Sequence, residues 1–295
     1  METSEERVET VRSALADGDR AALLQLLSPL HPADLAGLFR ELDEDERELL
    51  IERLGIRQVA DLLAELDPEE QRVLAAELGY QRLAAAVRAM SDDDAADLLS
   101  SLDPKVMSET ISQMPASVVR DLTRLMSYSA ETAGGRMTTD YVALPDTIDA
   151  GEAIERLRRQ APAAESIYYV FVTDSENRLV GVLSLRELIV ADVARPVGEI
   201  MSRNVVAVGL DTDQEDVARL VARYDLLAVP VVDSGNHLLG IVTVDDVIDV
   251  IEDEATEDIL RMGGTPQETT TDSVLTRARK RFPWLAALLF GELVA

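Results

Sequence analysis

The feature that most constrains the fold is a period of twelve residues in the first half of the chain. An aliphatic residue or a methionine recurs at this spacing without a slip, and a residue type that caps or breaks helices follows each one. These positions are Leu30, Leu42, Leu54, Leu66, Leu78, Met90, Leu102, Met114 and Met126. Because a helix this short is not stable alone, the period predicts a superhelical array of short helices with one shared core.

The predicted start of one helix in this array carries a cluster of acidic residues. Asp92, Asp93 and Asp94 occupy the expected first turn, and Asp97 follows one turn later. Acids in a first turn are favoured by the helix dipole, which explains Asp92 and Asp94. Asp93 and Asp97 are four residues apart on one face, and capping does not explain that pair. We therefore take Asp93 and Asp97 as a candidate cation site shared with another domain.

A second acidic segment lies near the end of the chain and also has helical spacing. Eight acidic side chains stand between Asp245 and Asp258, with no lysine or arginine among them. An apolar stripe runs through the same segment and is predicted to pack on a neighbour: Val247, Ile248, Ile251, Ala255 and Ile259. Like charges at helical spacing destabilise a helix by a few tenths of a kcal/mol per pair. A positive partner is therefore expected, and Mg²⁺ suits clustered carboxylates; a solvated acidic face is the alternative.

Composition restricts the classes of function. The chain has 28 basic and 56 acidic residues, and its net charge of −28 argues against nucleic acid and anionic membranes as partners. It has no cysteine, which excludes disulfides and thiolate chemistry and is typical of an intracellular protein. The two histidines, His31 and His237, are far apart in sequence, and no nucleophile with a base is visible. We expect that the protein is not an enzyme.

The last residues of the chain differ from the rest. Residues 282–295 are apolar apart from Glu292, but this run is shorter than the roughly 20 residues that cross a bilayer. A basic flank precedes it, made of Arg277, Arg279, Lys280 and Arg281. This arrangement is typical of the cytoplasmic side of a spanning helix. It predicts the start of a transmembrane helix that the end of this chain cuts off, and a C-terminal core helix is the alternative.

The second half of the chain contains one module twice. The pattern of residues 168–188 reappears at 227–247, with Met137 and Met201 at matching positions upstream. Each copy has two hydrophobic runs joined by a turn that contains Asp and Asn, and a helix follows whose first turn Ser184 or Thr243 caps. With the β-rich run and helix upstream, each copy reads as a βαββα module.

These two copies resemble a tandem of CBS motifs. Together with the helical repeats, the segment Ser–Ala–Glu–Thr–Ala–Gly–Gly–Arg–Met–Thr at 129–138 and the acidic run from 242 to 259, they resemble the MgtE family of magnesium transporters and channels. The resemblance covers the chain from about Leu30 onward. It implies a helical N domain, a CBS pair that forms a homodimer, a connecting plug helix at about 271–282, and a pore domain that this chain lacks.

The resemblance also implies a mechanism and a set of ligands. In the family, Mg²⁺ ions bridge the acidic faces of the N and CBS domains and hold the pore shut. The matching positions in this chain are Asp93, Asp97, Glu215, Asp225, Asp246, Asp249, Glu254, Glu257 and Asp258. For Glu215 the first turn of a helix is an alternative explanation.

Tandem CBS motifs often bind adenine nucleotides, and some MgtE-like proteins bind ATP. The matching positions are Tyr169, Arg186 and either Glu187 or Asp246. The sequence departs from that pattern at two positions. Glu187 stands where Asp is more usual, and Leu226 stands where an aromatic residue could stack on the base. For Ser184 and Thr243, N-capping is the preferred role.

We therefore predict an α+β multidomain protein. An all-α superhelical N-terminal domain spans 1–135, the two CBS motifs span 136–198 and 199–262, and 263–295 form the connecting helix and the truncated membrane segment. The predicted function is Mg²⁺ sensing on the cytoplasmic face of the plasma membrane, in a homodimer that regulates its own pore domain. The alternative is a soluble CBS-pair protein that senses adenine nucleotides and regulates a partner enzyme.

Overall fold

A computed structural model describes residues 4–18, 20–160 and 168–262. The chain forms two compact units. The first holds the described residues up to Ala130 together with Met137–Tyr141, and the second holds Glu131–Arg136, Val142–Arg159 and the described residues after 167. None of the helices in these ranges combines the length and the apolar character that crossing a membrane requires. The predicted connecting helix and membrane segment lie outside the described residues.

Short helices make up the first unit, in the order α1 Ser4–Ala16, α2 Arg20–Leu27, α3 Pro32–Glu41, α4 Glu44–Arg53, α5 Ile56–Ala64, α6 Pro68–Leu78, α7 Tyr80–Val87, α8 Asp92–Ser101, α9 Pro104–Ser112 and α10 Ala116–Leu125. From α3 to α10, within the fully described stretch 32–125, every helix begins twelve residues after the previous one. The predicted array of one short helix and one turn per twelve residues is confirmed.

The periodic positions end the helices and fill the core. Leu42, Leu54 and Leu102 are the C-caps of α3, α4 and α8, and each has an extended backbone that stops the helix. The same three side chains are at most 7% exposed. They belong to one hydrophobic cluster that runs from Val8 to Leu122. Each buried leucine contributes about 1.5–3 kcal/mol, so the repeats stabilise one another through this shared core.

The second unit contains the module twice. Its elements are β1 Ala143–Pro145, α11 Ala150–Gln160, β2 Tyr169–Thr173, β3 Leu179–Ser184, α12 Leu185–Val190, α13 Val197–Ile200, β4 Val208–Gly209, α14 Gln214–Tyr224, β5 Ala228–Val232, β6 Leu238–Thr243 and α15 Val244–Met262. In the first sheet β1 pairs parallel with β2, and β2 pairs antiparallel with β3. The second sheet repeats this with β4, β5 and β6. The predicted duplicated βαββα order is confirmed.

The hairpin turns of the two copies bind each other reciprocally. Asn177 and Asn236 occupy matching turn positions, and both have a left-handed backbone, with φ of 61° and 65°. The Asn236 side chain donates to the Leu179 carbonyl at 2.7 Å, and the Asn177 side chain lies 3.4 Å from the Leu238 carbonyl. Asparagine tolerates this backbone region better than most residues. The turn chemistry that forms each hairpin therefore also joins the two sheets.

The acidic segment forms the helix α15, as predicted, but its buried face differs from the prediction. Val247 and Val250 are each 2% exposed, and α15 packs with α14 and β6. The rest of the predicted stripe is exposed: Ile248, Ile251, Ala255 and Ile259. Within the described part of this chain, Val247 is thus the only member of the predicted stripe that is buried, and a neighbour for the other four side chains stays a prediction. Helical spacing shows which side chains share a face, but it does not show which face the neighbouring elements cover.

Candidate functional site

Two of the predicted metal ligands on α15 accept hydrogen bonds from neutral side chains. The Thr243 hydroxyl donates to Oδ2 of Asp246 at 2.5 Å. The side-chain amide of Gln214 donates to Oε1 of Glu254 at 2.7 Å. Asp246 and Glu254 are both half-buried. These bonds orient both carboxylates, and neither donor side chain carries a positive charge.

The other predicted ligands on this helix are Asp249, Glu257 and Asp258. Asp249 and Asp258 are exposed, and the side chain of Glu257 lies outside the described part of the chain. Burial and then the charges of three acidic neighbours on α15 raise the pKa of Asp249, while the charge of Arg136 acts in the opposite direction. The electrostatic environment of α15 is therefore negative, with a single arginine opposing it at Asp249.

Glu215 and Asp225 stand at the two ends of α14. Glu215 is in the first turn, where its backbone N–H donates to Asp213 at 2.9 Å and its carboxylate pairs with Arg219 at 2.7 Å. Asp225 is the C-cap, exposed and left-handed with φ of 52°. Each residue thus has a local structural role in the helix, and the described residues do not place the two carboxylates together.

Asp93 is the most unusual carboxylate of the helical unit. It lies in the first turn of α8, it is only 6% exposed, and its Oδ1 has no hydrogen-bond partner among the described residues. Burial and then the charge of Asp94 raise the pKa of Asp93 to about 7. A buried anionic oxygen without a partner is costly. The carboxylate of Asp93 therefore favours either a proton or a bound cation, while Asp97 is exposed one turn later.

The fold adds an acid that no sequence pattern singles out. Asp140 belongs to the segment Met137–Tyr141, which packs in the helical unit, and the neighbouring Thr139 hydroxyl donates to Asp92. Burial and then the charge of Asp92 raise the pKa of Asp140 to about 6. No spacing rule connects Asp140 to α8, because only the tertiary structure brings them together. The start of α8 is therefore more negative than its own sequence shows.

The described ranges contain no set of three or more His, Asp or Glu side chains grouped closely enough to hold a metal ion. The predicted ligands are instead distributed over α8, α14 and α15. The ligand set therefore stays a prediction, and Asp93 is the member whose surroundings most favour an added cation.

The predicted nucleotide-binding residues are partly brought together. Arg186 and Glu187 line a surface cavity of about 690 Å³ beside α12. Glu187 accepts hydrogen bonds from the Ser184 backbone N–H at 2.8 Å and hydroxyl at 2.7 Å, so the predicted capping role of Ser184 is confirmed. Tyr169 is opposite Ser184 in the register of β2 and β3. Asp246 on α15 occupies the place in the second copy that Glu187 occupies in the first.

A repeat domain of stacked helices followed by a duplicated βαββα pair defines a tandem CBS protein with a helical-repeat domain. Residues 30–131 match the family described as the MgtE intracellular N domain, and residues 133–194 and 197–253 match the CBS domain. The chain belongs to the MgtE family, and the predicted fold class is confirmed.

Three relatives illustrate the similarity. The chain is 42% identical over 280 residues to the magnesium transporter MgtE of Thermus thermophilus, which covers 94% of this chain and 62% of that protein. A crystal structure of the soluble part of a magnesium transporter matches with a TM-score of 0.82 and 38% identity, over 86% of this chain and 100% of the other. The cytosolic domain of the Mg²⁺ channel MgtE in complex with ATP matches with a TM-score of 0.79 and 42% identity, over 82% and 99%. The chain spans 62% of the length of the Thermus thermophilus relative and 65% of the length of the magnesium transporter MgtE of Bacillus subtilis.

Proposed function

We propose that this chain is the Mg²⁺-sensing regulatory region of an MgtE-like magnesium transporter or channel. The observation that carries the proposal is Asp93, whose buried Oδ1 has no hydrogen-bond partner among the described residues. The acidic surface of α15 supplies the second group of carboxylates. The relatives are described as magnesium transporters, and one as a cytosolic domain. We accordingly assign the chain to the cytoplasmic face of the membrane, where its partner is the pore domain of the same protein.

Electrostatic repulsion supplies the mechanism. Two like charges about 4 Å apart repel by roughly 1 kcal/mol in water and about 4 kcal/mol at an effective dielectric constant of 20. A divalent ion bound between carboxylates reverses the sign of that interaction. Mg²⁺ fits this role because it prefers oxygen ligands and keeps several waters, so it needs only one or two carboxylates per ion. At high Mg²⁺ the acidic surfaces of α8 and α15 then tolerate a compact arrangement that closes the pore, and at low Mg²⁺ they repel.

The ions act only through the difference in their affinity for the two arrangements. An ion that binds both equally well shifts nothing, however tightly it binds. Several weak sites distributed over α8, α14 and α15 would each contribute a small binding free-energy difference between the two arrangements. The sum of these differences would set how strongly Mg²⁺ shifts the equilibrium. Such a sensor needs no catalytic step, in agreement with the sequence-based expectation.

We also propose that the protein is a homodimer that pairs through the second unit. The helices α12 and α15 occupy equivalent places in the two copies, and both leave large apolar side chains in solvent. The exposed fractions are 65% for Ile189 and 78% for Val190 on α12, and 57% for Ile248 and 69% for Ile259 on α15. Exposed apolar side chains repeated on equivalent helices favour a self-complementary interface.

The test is a Mg²⁺ titration of the whole chain, followed by calorimetry, small-angle scattering and limited proteolysis. The wild type is expected to bind Mg²⁺, to become more compact and to resist the protease. The variant Asp93→Asn/Asp246→Asn is expected to bind at least about tenfold more weakly, because it loses a carboxylate on each acidic helix. The matched control Asp121→Asn/Glu155→Gln removes the same charge at two exposed positions and is expected to behave as the wild type. Equal compactness with chelator and with Mg²⁺ would overturn the proposal.

Adenine-nucleotide binding is the second candidate function. It is supported by the cavity lined by Arg186 and Glu187, and by the relative described in complex with ATP. The expected result is that ATP binds the wild-type chain and that Arg186→Gln weakens this binding, because the variant loses the positive charge that faces the phosphates. Titration with ATP in the presence and absence of Mg²⁺ measures both. Equal ATP affinity of the wild type and the variant contradicts this second function.

A further inference from the structure

A glutamine amide links two charged residues that are far apart in sequence. Gln214 is the first residue of α14 and is only 7% exposed. Its side-chain oxygen accepts a hydrogen bond from Nε of Arg136 at 3.1 Å, and its side-chain nitrogen donates to Oε1 of Glu254 at 2.7 Å. Both polar ends of the amide are therefore used, one by a cation and the other by a carboxylate of the acidic helix.

The amide group is the only neutral side-chain type of this shape that can do both. It carries an acceptor for the guanidinium of Arg136 and a donor for the carboxylate of Glu254. A carboxylate at position 214 would repel Glu254, and an ammonium there would repel Arg136. The link between Arg136 and Glu254 therefore depends on the side-chain amide of Gln214.

The backbone fixes the segment that carries Arg136. Residues 131–136 run beside the start of α14, where the Ala133 N–H donates to the Thr212 carbonyl at 2.7 Å and the Gly134 N–H donates to the Leu210 carbonyl at 2.9 Å. Arg136 itself is half-buried. The main chain before Arg136 is thus fixed by backbone hydrogen bonds, and its guanidinium is held by Gln214.

The charge of Arg136 acts on the acidic helix. The segment from Asp245 to Asp258 contains eight acidic residues and no base. The side-chain amide of Gln214 connects the guanidinium of Arg136 to the carboxylate of Glu254 on this helix, through hydrogen bonds of 3.1 Å and 2.7 Å. A segment more than a hundred residues earlier in the chain therefore supplies a positive charge to the stretch from Asp245 to Asp258, which has no base of its own.

We propose that Arg136 is a resident counter-ion of the acidic helix α15, and that Gln214 is the positioning residue that holds Arg136 and Glu254 in place. The resident cation stabilises α15 when metal is absent and weakens Mg²⁺ binding there, because the bound ion and the guanidinium repel each other. The Mg²⁺ part rests on the proposed function. In that part, Arg136 raises the Mg²⁺ concentration at which α15 becomes occupied.

The test compares Arg136→Gln and Arg136→Lys with the wild-type chain in two measurements. In Mg²⁺ titrations, Arg136→Gln is expected to bind about three- to tenfold more tightly, since a repelling charge is gone, while Arg136→Lys stays near the wild type because it keeps the charge. In chelator at low salt, Arg136→Gln is expected to lower the melting temperature by about 2–4 °C, and added salt reduces this difference. The control Arg158→Gln removes the same charge from an exposed position on α11 and is expected to change neither measurement.

The role of Gln214 is tested by a double-mutant cycle with Gln214→Leu. If the amide positions Arg136, the Mg²⁺ effect of Arg136→Gln becomes smaller in the Gln214→Leu background. Arg136→Gln and Arg158→Gln giving the same results in both measurements would overturn the proposal. A wild-type chain that binds no Mg²⁺ contradicts the proposed function alone, because the melting temperatures in chelator still decide whether Arg136 is a counter-ion of α15.

Discussion

At the scale of single residues, Asp93 and Asp140 are carboxyl groups of the helical unit that disfavour ionisation. Burial is the largest cause for both Asp93 and Asp140, and the charges of Asp94 and Asp92 respectively add to it. Both acids lie in the same unit, one in α8 and the other in the segment Met137–Tyr141. Such groups lower stability in their charged form, and a cation or a proton relieves the cost.

The pH dependence of stability in chelator follows from these two pKa values. Well below the ordinary Asp pKa of about 3.9, both carboxyls are protonated in the folded and unfolded states, and their burial carries no cost of ionisation. As the pH rises toward 7, the unfolded chain releases its protons first, because the folded pKa values are about 7 for Asp93 and about 6 for Asp140. Stability from these groups is therefore lost between about pH 4 and pH 7. Urea midpoints followed by helical circular dichroism at pH 5 to pH 8 measure the loss.

Amide variants separate this effect from the other acids of the chain. Asp93→Asn imitates the neutral acid and is expected to stabilise the metal-free helical unit at pH 8 by about 1–3 kcal/mol, with a smaller effect at pH 5. Asp140→Asn is expected to act in the same direction. Asp121→Asn, at an exposed position on α10, is the control. Parallel pH profiles for the wild type and Asp93→Asn would show that the buried carboxyl does not cause the loss.

At the scale of helices and strands, each twelve-residue unit combines one short helix with buried side chains, both within the helix and in the turn that follows it. The leucines in the middle of the helices are as completely buried as those at the caps. Leu62 in α5 and Leu98 in α8 are both 0% exposed. Since each helix contacts its neighbours through such residues, the loss of one side chain affects the shared core of the whole array.

Replacing one of these leucines tests the shared core. Leu98→Ala is expected to lower the stability of the helical unit by about 2–5 kcal/mol, because it removes buried methyl groups and leaves a cavity. Val73→Ala on α6 is the control, since Val73 is 61% exposed, and its expected effect is within about 0.5 kcal/mol. Urea denaturation of both variants measures the difference. A similar small effect of both substitutions contradicts the assignment of Leu98 to a cooperative core.

At the scale of the whole molecule, the second unit exposes apolar side chains that one chain does not cover. Ile189 on α12 and Ile248 on α15 lie at equivalent places in the two copies. The proposed homodimer would bury both sets, which contributes about 25 cal/mol for each Å² of apolar surface removed from water.

Neutral truncations of this apolar surface test the dimer without altering the charge of α15. The variant Ile189→Ser/Ile248→Ser is expected to raise the dimer dissociation constant at least about tenfold, because both side chains are more than half exposed in the single chain. Val73→Ser removes a similarly exposed valine from the helical unit and is expected to leave association unchanged. Sedimentation equilibrium over a wide range of protein concentration measures the constant. Unchanged association of the double variant would place the interface elsewhere.

Sequence reasoning succeeded wherever the pattern was local. The twelve-residue period predicted the helices α3 to α10, and the repeated hairpin and helix signals predicted the duplicated βαββα order. It also predicted that the segment from Val244 onward is helical and acidic. These features depend on interactions between residues within one or two turns, such as caps, turn residues and side-chain periodicity, and a single sequence shows all of them.

The sequence by itself therefore determined the type and order of the elements and the negative charge of α8 and α15. Only the tertiary structure decided that α15 packs through Val247 and Val250, that Asp140 joins the acids at α8, and that Gln214 holds Arg136 against Glu254. The physical reason is that these contacts join residues far apart along the chain. Such contacts depend on how the finished elements pack, and no local periodicity or spacing in the sequence encodes them.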